Sequence, residues 1–406
     1  MNILRLALVL FACVCTPAVL AGPDPVAFHQ QVISHRGEQF EIQLPQGYAL
    51  VRLQADMQRP RLFIFDSAGN MLVGSRSGNV YRLAPPYNKA ESLLLLPDYP
   101  HSLALRQGYL YIAQTSGLYR LAYKPTLTTF DEDQLERIAS IPGGYGHNSR
   151  TVAVGPDNRI YLGLGISGNC SDEYLDDSYD FNDRRGGIMV LDEEVKPVRW
   201  KTYASGLRNP VGFDWHPGTK IMYASNNGPD HLGYGQPPEY FSKLTANSFH
   251  GMPWYQFDGK QLNRDDCVDS EPPRTDVQVP AVSFPARNAP MGVHFLDISG
   301  DINGAGKGGL NKKYGGDALV ALHGSWGTQP DGSGSGHPAT RRPPKLVLVR
   351  FDKGEAVRVD DFVTGFQNKA GHRLARPMGL GIGPDGVLYF TSDGGINGLF
   401  KLVKTQ

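Results

Sequence analysis

The chain is written in short runs in which apolar and polar residues alternate, each closed by Gly, Asp or Asn. LFIFDSAGNMLVGSRSGNVYRL from Leu62 sets the form: an apolar strand, a polar turn, a second strand, a turn and a third. It returns as SLALRQGYLYIAQTSGLYRLAY from Ser102, as TVAVGPDNRIYLGLG from Thr151 with GGIMVLD from Gly186, and as VGFDWHPGTKIMYAS from Val211. MGVHFLD, DALVALHGSW and KLVLVRF follow between Met291 and Phe351, and MGLGIGPDGVLYFTSDGGINGLFKLV from Met378 ends the series. A period of two with β-branched and aromatic residues predicts strands, and the Asp-Gly and Pro-Asp turns predict hairpins, whereas helical spacing is almost absent. About six such units predict an all-β protein, a six-bladed β-propeller, because radial closure protects sheet edges that a flat array exposes. One sandwich cannot hold so many strands, and no linker-like break argues for two.

Two stretches break the pattern. Asn169 to Arg185 (NCSDEYLDDSYDFNDRR) is acidic and rich in Tyr, and Ser325 to Pro344 (SWGTQPDGSGSGHPATRRPP) is rich in Gly, Ser and Pro. Loops of this length in a compact fold are commonly functional or mobile, and in a propeller they gather at the ends of the central channel.

The opening MNILRLALVLFACVCTPAVLAGPDP has one Arg before an apolar run and then Val19-Leu20-Ala21, the layout of a secretory signal cleaved after Ala21. Residues 1–21 are therefore expected to be a signal peptide and 22–406 a single propeller domain, in the periplasm or secreted. The run is too short for a transmembrane anchor, and a lipoprotein modified at Cys13 or Cys15 would have an unusually short apolar segment before it. Cleavage removes two of the four cysteines, leaving Cys170 and Cys267, which read as one disulfide in an oxidising compartment or as two separate buried thiols. The whole chain carries 40 basic and 40 acidic residues, so no broad charged surface points to nucleic acid or membrane.

Charge gathers instead at one repeated place. Arg61, His101, His147, Arg208 with Asn209, and Arg376 all stand just before the first strand of a unit. Equivalent positions of successive blades face the same end of the channel, so three arginines and two histidines from five units converge. Buried arginines need a counter-anion, and a ligand with several carboxylates or phosphates supplies one. Pairing of each Arg with a nearby Asp or carbonyl is the alternative. His147, in GGYGHNSR, has the position of a general base on a loop whose glycines permit close approach. Asn226-Asn227-Gly228-Pro229-Asp230 offers oxygen ligands of the kind Ca²⁺ takes, and is also an ordinary turn. Asp297, Ser299, Asp301 and Asn303 begin like a calcium loop, but the Gly falls at the wrong place and no Glu closes it. No GxSxG elbow, Walker loop or HExxH is present.

LPQGYALVRLQADMQRPR, YGHNSRTVAVGPDNRIYLGLGISGN, ASGLRNPVGFDWHPGTKIMYASNNGPDHLGYGQPPE, APMGVHF, ALHGSW and ARPMGLGIGPDGVLYFTSD carry a resemblance that runs from about Leu44 to the C-terminus. The chain resembles the pyrroloquinoline quinone (PQQ)-dependent sugar dehydrogenases of the soluble glucose dehydrogenase and sorbosone dehydrogenase type, whose fold is a six-bladed propeller. The resemblance implies that Arg61, Arg208 and Arg376, with Asn209 and more weakly His101, hold PQQ. It implies a Ca²⁺ on Gly228, Pro229 and Asn227, and His147 as the base that takes the proton from the anomeric hydroxyl while hydride passes to the quinone. A quinone or cytochrome is then the expected electron acceptor, and a sugar the substrate. The chain departs from the family where Gly327-Thr328 follow HGSW in place of an Asn-Arg pair, for which Arg341 or Arg342 is the candidate replacement. It departs again at Asn227, which stands where Gln is usual. A calcium-dependent lactonase and a non-catalytic binding propeller are the competing readings; the lactonase needs a ring of carboxylates and amides where this chain places cations.

Overall fold

The computed structural model describes residues 24–298 and 309–405, which leaves the expected signal peptide and Ser299–Asn303 outside the described residues. Six antiparallel sheets stand in sequence order. The first blade is Pro60–Phe65, Met71–Ser75, Asn79–Leu83 and Glu91–Leu95, and the second Ser102–Arg106, Tyr109–Ala113, Gly117–Ala122 and Glu136–Ser140. Arg150–Val154, Ile160–Leu164, Gly187–Asp192 and Arg199–Ser205 make the third, with Ser248–Phe249 added in parallel. The fourth joins Phe213–Trp215, Met222–Asn226 and Glu239–Leu244 to Val282–Phe284, and the fifth runs from Pro290–Phe295 through Ala318–Leu322 and Lys345–Asp352 to Glu355–Val363.

The sixth blade closes the ring. Ala375–Ile382 pairs with the first half of Leu388–Lys404, whose last residues pair with Tyr48–Arg52 from the opposite end of the chain, Phe400 facing Arg52 and Lys404 facing Tyr48. The units read from the sequence are these blades; what the pattern left out is this N-terminal strand and the hairpin Phe28–His35/Glu38–Pro45 before it.

Apolar residues sort by junction rather than into one central core. One cluster lies between each pair of neighbours: Leu72 and Leu103 join the first and second blades, Val152 and Tyr111 the second and third, Ile188 and Phe213 the third and fourth. Phe241 and Val349 join the fourth and fifth, Met291 and Phe390 the fifth and sixth, and Tyr389 and Val73 the sixth and first. Hydroxyls on second strands also tie the first strand of the next blade: Thr391 Oγ1 donates to the Arg61 carbonyl at 2.6 Å, and Ser225 Oγ to that of Met291 at 2.6 Å. Each blade thus buries both faces only with two neighbours present, and the residues at the tops of the inner strands are fixed relative to one another.

Candidate functional site

A cavity of about 560 Å³ opens at the channel end where the inner strands begin, and its walls include Arg61, His147, Arg208, Asn209, Asn227, Gly228 and Arg376. Seven of the residues singled out in the sequence, from blades far apart in the chain, therefore share one space. His101 and Pro229 are not among its lining residues. His101 is wholly buried behind Arg61, whose Nε lies 3.4 Å from its Nδ1.

Charge in this cavity is lopsided. Arg59, Arg76 and Arg287 join Arg61, Arg208 and Arg376, and these six arginines face three carboxylates, Asp230, Glu239 and Asp393. On one side Asp393 receives Arg61 Nη1 at 2.5 Å and His323 Nε2 at 2.5 Å. His323 Nδ1 in turn lies 2.8 Å from Arg376 Nη2. A neutral imidazole serves both contacts, donating from Nε2 and accepting at Nδ1; burial, more than Asp393, sets its state and lowers its pKa to about 4. Burial also works to raise the Asp393 pKa, but His323, Arg61 and Arg376 outweigh it and hold the carboxyl well below its usual range.

On the other side Arg208 donates from Nε to the Asn169 carbonyl at 2.7 Å and from Nη2 to Asn169 Oδ1 at 2.9 Å, with Asp230 Oδ2 4.0 Å away. Arg287 holds Asp230 Oδ1 at 2.6 Å. Asn169 precedes Cys170, which is joined to Cys267 in a disulfide with Cα atoms 5.6 Å apart, so the single-disulfide reading holds. That bond anchors the acidic loop whose first residue aims Arg208.

Beside Arg208, the strand pair Phe213–Trp215 and Met222–Asn226 delivers the Asn-Asn-Gly-Pro-Asp turn. Asn226 Oδ1 accepts the Asn209 N–H at 2.9 Å, and Asn227 Nδ2 donates to the Pro290 carbonyl at 2.6 Å, which directs its Oδ1 the other way. Glu239, 3 % exposed, accepts the Gly228 N–H at 2.5 Å; burial pushes its pKa up to about 7. A cation at this turn would meet amide, carbonyl and carboxylate oxygen, the donor set suited to Ca²⁺.

His147 Nδ1 lies 2.7 Å from the Ile166 carbonyl. A carbonyl can only accept, so Nδ1 carries the proton and Nε2 keeps its lone pair. Burial, then Arg208, lowers the pKa of this imidazole to about 3. Two fully buried arginines hold its loop. Arg150 donates to the carbonyls of Pro142, His147 and Thr115, and Arg185 to those of Gly143, Tyr145 and Gly165. Gly146 has φ +79°, and a Cβ there would strike the Ser167 carbonyl, so the glycine serves packing against the chain itself. Gly165 does the same for the site: a Cβ would sit 2.5 Å from His147 Cβ and 2.6 Å from Asn209 Oδ1.

Sequence reasoning did not single out Asp393, His323, Glu239, Arg287 or Asn169. Asp393 ends the quoted TSD stretch and Glu239 the PPE stretch, but nothing in the pattern of either marks it as buried. In the stretch after HGSW, neither Arg341 nor Arg342 lines the cavity; Arg342 stacks on Tyr234 at 4.5 Å and donates to the Ala286 carbonyl, and Arg287 reaches the cavity from another segment. Trp326, 57 % exposed, stands at the cavity wall.

Residues 42–238 match the family model described as TrAA12-like, a little under half of the chain. A Borreliella burgdorferi protein described only as uncharacterized is 24% identical over 370 residues, 87% of this chain and 89% of its own. Among solved structures, the Trichoderma reesei carbohydrate-active enzyme of family AA12 superposes with TM-score 0.71 at 18% identity, over 89% of this chain and 97% of its own. The PQQ domain of pyranose dehydrogenase from Coprinopsis cinerea gives 0.67 at 18%, over 90% and 97%. The soluble aldose sugar dehydrogenase of Escherichia coli gives 0.61 at 13%, over 88% and 99%. At these identities the superpositions speak for the fold, and together with the family model they bear out the resemblance read from the sequence: this chain is a six-bladed propeller of the kind found in the PQQ-dependent sugar dehydrogenases.

Proposed function

We propose that the protein is an exported dehydrogenase, its signal removed after Ala21, that oxidises a sugar with PQQ and Ca²⁺ and passes the electrons to a quinone or cytochrome. The observation that carries this reading is the cavity's charge: six arginines against three carboxylates is an uncompensated cationic surface, and a tricarboxylate such as PQQ compensates it. When bound, PQQ with Ca²⁺ supplies a polarised quinone able to accept a hydride. The chain's own groups do the rest. Arg61, Arg208 and Arg376 bind and orient carboxylates, and Asn209 adds a hydrogen-bonding amide. Asn227, Gly228 and Pro229 offer oxygens to the metal, with Glu239 as a further buried carboxylate. His147 Nε2 takes the proton of the reacting sugar hydroxyl, and the Ile166 carbonyl keeps the ring in the tautomer that can do so. His101 supports the Arg61 guanidinium from behind.

The test is titration of the metal-stripped protein with PQQ, with and without Ca²⁺, followed by dye reduction over a panel of sugars. Calcium-dependent binding near one equivalent, with turnover of at least one sugar, is expected. No binding under either condition would sink the proposal and leave a binding propeller.

A further inference from the structure

Beyond the cavity, the segment after Asp230 meets the small hairpin Tyr255–Phe257/Leu262–Arg264 at a second group of polar side chains. His231 Nε2 lies 2.9 Å from Asp265 Oδ1, and Asp266 joins them so that one ligating atom from each residue lies within 4.8 Å of the others. Asp265 is 4 % exposed. Its Oδ1 also accepts the Cys267 N–H at 3.1 Å, but its buried Oδ2 has no hydrogen-bond partner. Among the described residues no lysine or arginine pairs with either carboxylate. A buried carboxylate oxygen without a donor or a cation is costly, and such an oxygen in a native fold points to a missing partner.

We propose that His231, Asp265 and Asp266 bind a zinc ion. One imidazole nitrogen and two carboxylate oxygens form a ligand set zinc accepts, whereas Ca²⁺ favours oxygen alone. Two neighbouring ligands on a tetrahedral ion with bonds of about 2.1 Å stand about 3.4 Å apart, so the ion would replace the 2.9 Å hydrogen bond between His231 Nε2 and Asp265 Oδ1 with a slightly wider pair. Cys267, next in the chain, is spent in the disulfide, so sulfur adds nothing to the set. His231 and Asp266 are exposed, which leaves an open side for water and for entry of the metal. None of the three residues lines the cavity, so this site is separate from the Asn227–Pro229 turn, and it stands whatever the fate of the quinone reading. Its effect is mechanical: a bound ion pins the segment carrying Gly228 and Asp230 to a hairpin already fastened by the disulfide.

The full chain, disulfide intact, is stripped with a chelator and titrated with Zn²⁺ against a competing chromophoric chelator. One equivalent is expected, with His231→Gln and Asp266→Asn each weakening it at least about tenfold while the circular dichroism spectrum stays that of the parent. No zinc uptake by the parent overturns the site, and so does uptake by both variants equal to the parent's.

Discussion

His147 and Asp393 show how a site can be set by what cannot change its charge. The His147 imidazole is neutral because burial and Arg208 disfavour a second proton. Its replacement by Ala should leave PQQ binding intact and lower turnover by about 10²–10⁴-fold, the usual contribution of a positioned base, as steady-state dye reduction would reveal. The same shift has a sign in stability. His147 and His250 hold native pKa values of about 3 and His323 about 4, all below the 6.5 of an unfolded histidine. The unfolded chain therefore binds more protons between pH 6.5 and about 3, and stability contributed by the neutral rings, full above 6.5, falls as pH drops through that window. Glu239, held at about 7 in the fold and 4.5 when unfolded, works the other way over the same range, but three rings outweigh one carboxyl, so thermal melting followed from pH 6.5 to pH 4.5 should show a falling midpoint, with net proton uptake on unfolding. Arg208→Ala should weaken PQQ by about 10–100-fold, since a charge-assisted hydrogen-bonding partner is worth ~1.5–3 kcal/mol; unchanged affinity by fluorescence titration would remove Arg208 from the clamp.

At the level of strands and loops, the acidic loop from Asn169 matters through its first two residues. The disulfide spans 97 residues of sequence and fixes Asn169, which fixes Arg208 and, through its Oδ1, the N–H of Asp230. Cys170→Ser/Cys267→Ser should cost about 2–5 kcal/mol in denaturant unfolding and should also weaken PQQ binding; a loss of stability with affinity intact would break the link to Arg208. The strands were legible because each inner-blade segment alternates over a hairpin turn, and Arg61, Arg208 and Arg376 were legible because they recur at the same point of that repeat. Asp393 and Glu239 were not, because a carboxylate before a Gly-Gly pair or after a proline reads as surface until distant blades cover it. Nor did Arg150 and Arg185 stand out: both are swallowed by backbone carbonyls, and an unpaired arginine in sequence gives no hint of that fate. The Tyr48–Arg52 strand was missed because the segment it pairs with, Phe400 to Lys404, lies some 350 residues away in sequence.

The whole molecule is a ring held by like junctions, so damage at the closure should be felt everywhere. Leu402, 1 % exposed in the closing blade, packs in the same cluster as Leu50 and Met291. Leu402→Ala should cost about 2–5 kcal/mol in urea unfolding, and a single transition recorded by both far-ultraviolet circular dichroism and tryptophan fluorescence would mean the blades melt together.

Synthesis gives that closure a direction. Arg61 leaves the ribosome early, and Asp393, the carboxylate that neutralises it, is separated from it by 332 residues. The residues that close the ring, Phe400 to Lys404 against Arg52 to Tyr48, come after Asp393 again. Until then the arginines of the cavity belong to an open arc with no common interior. A chain that holds every blade but the last therefore has its arginines without a common interior, so the cavity itself forms only when the ring closes.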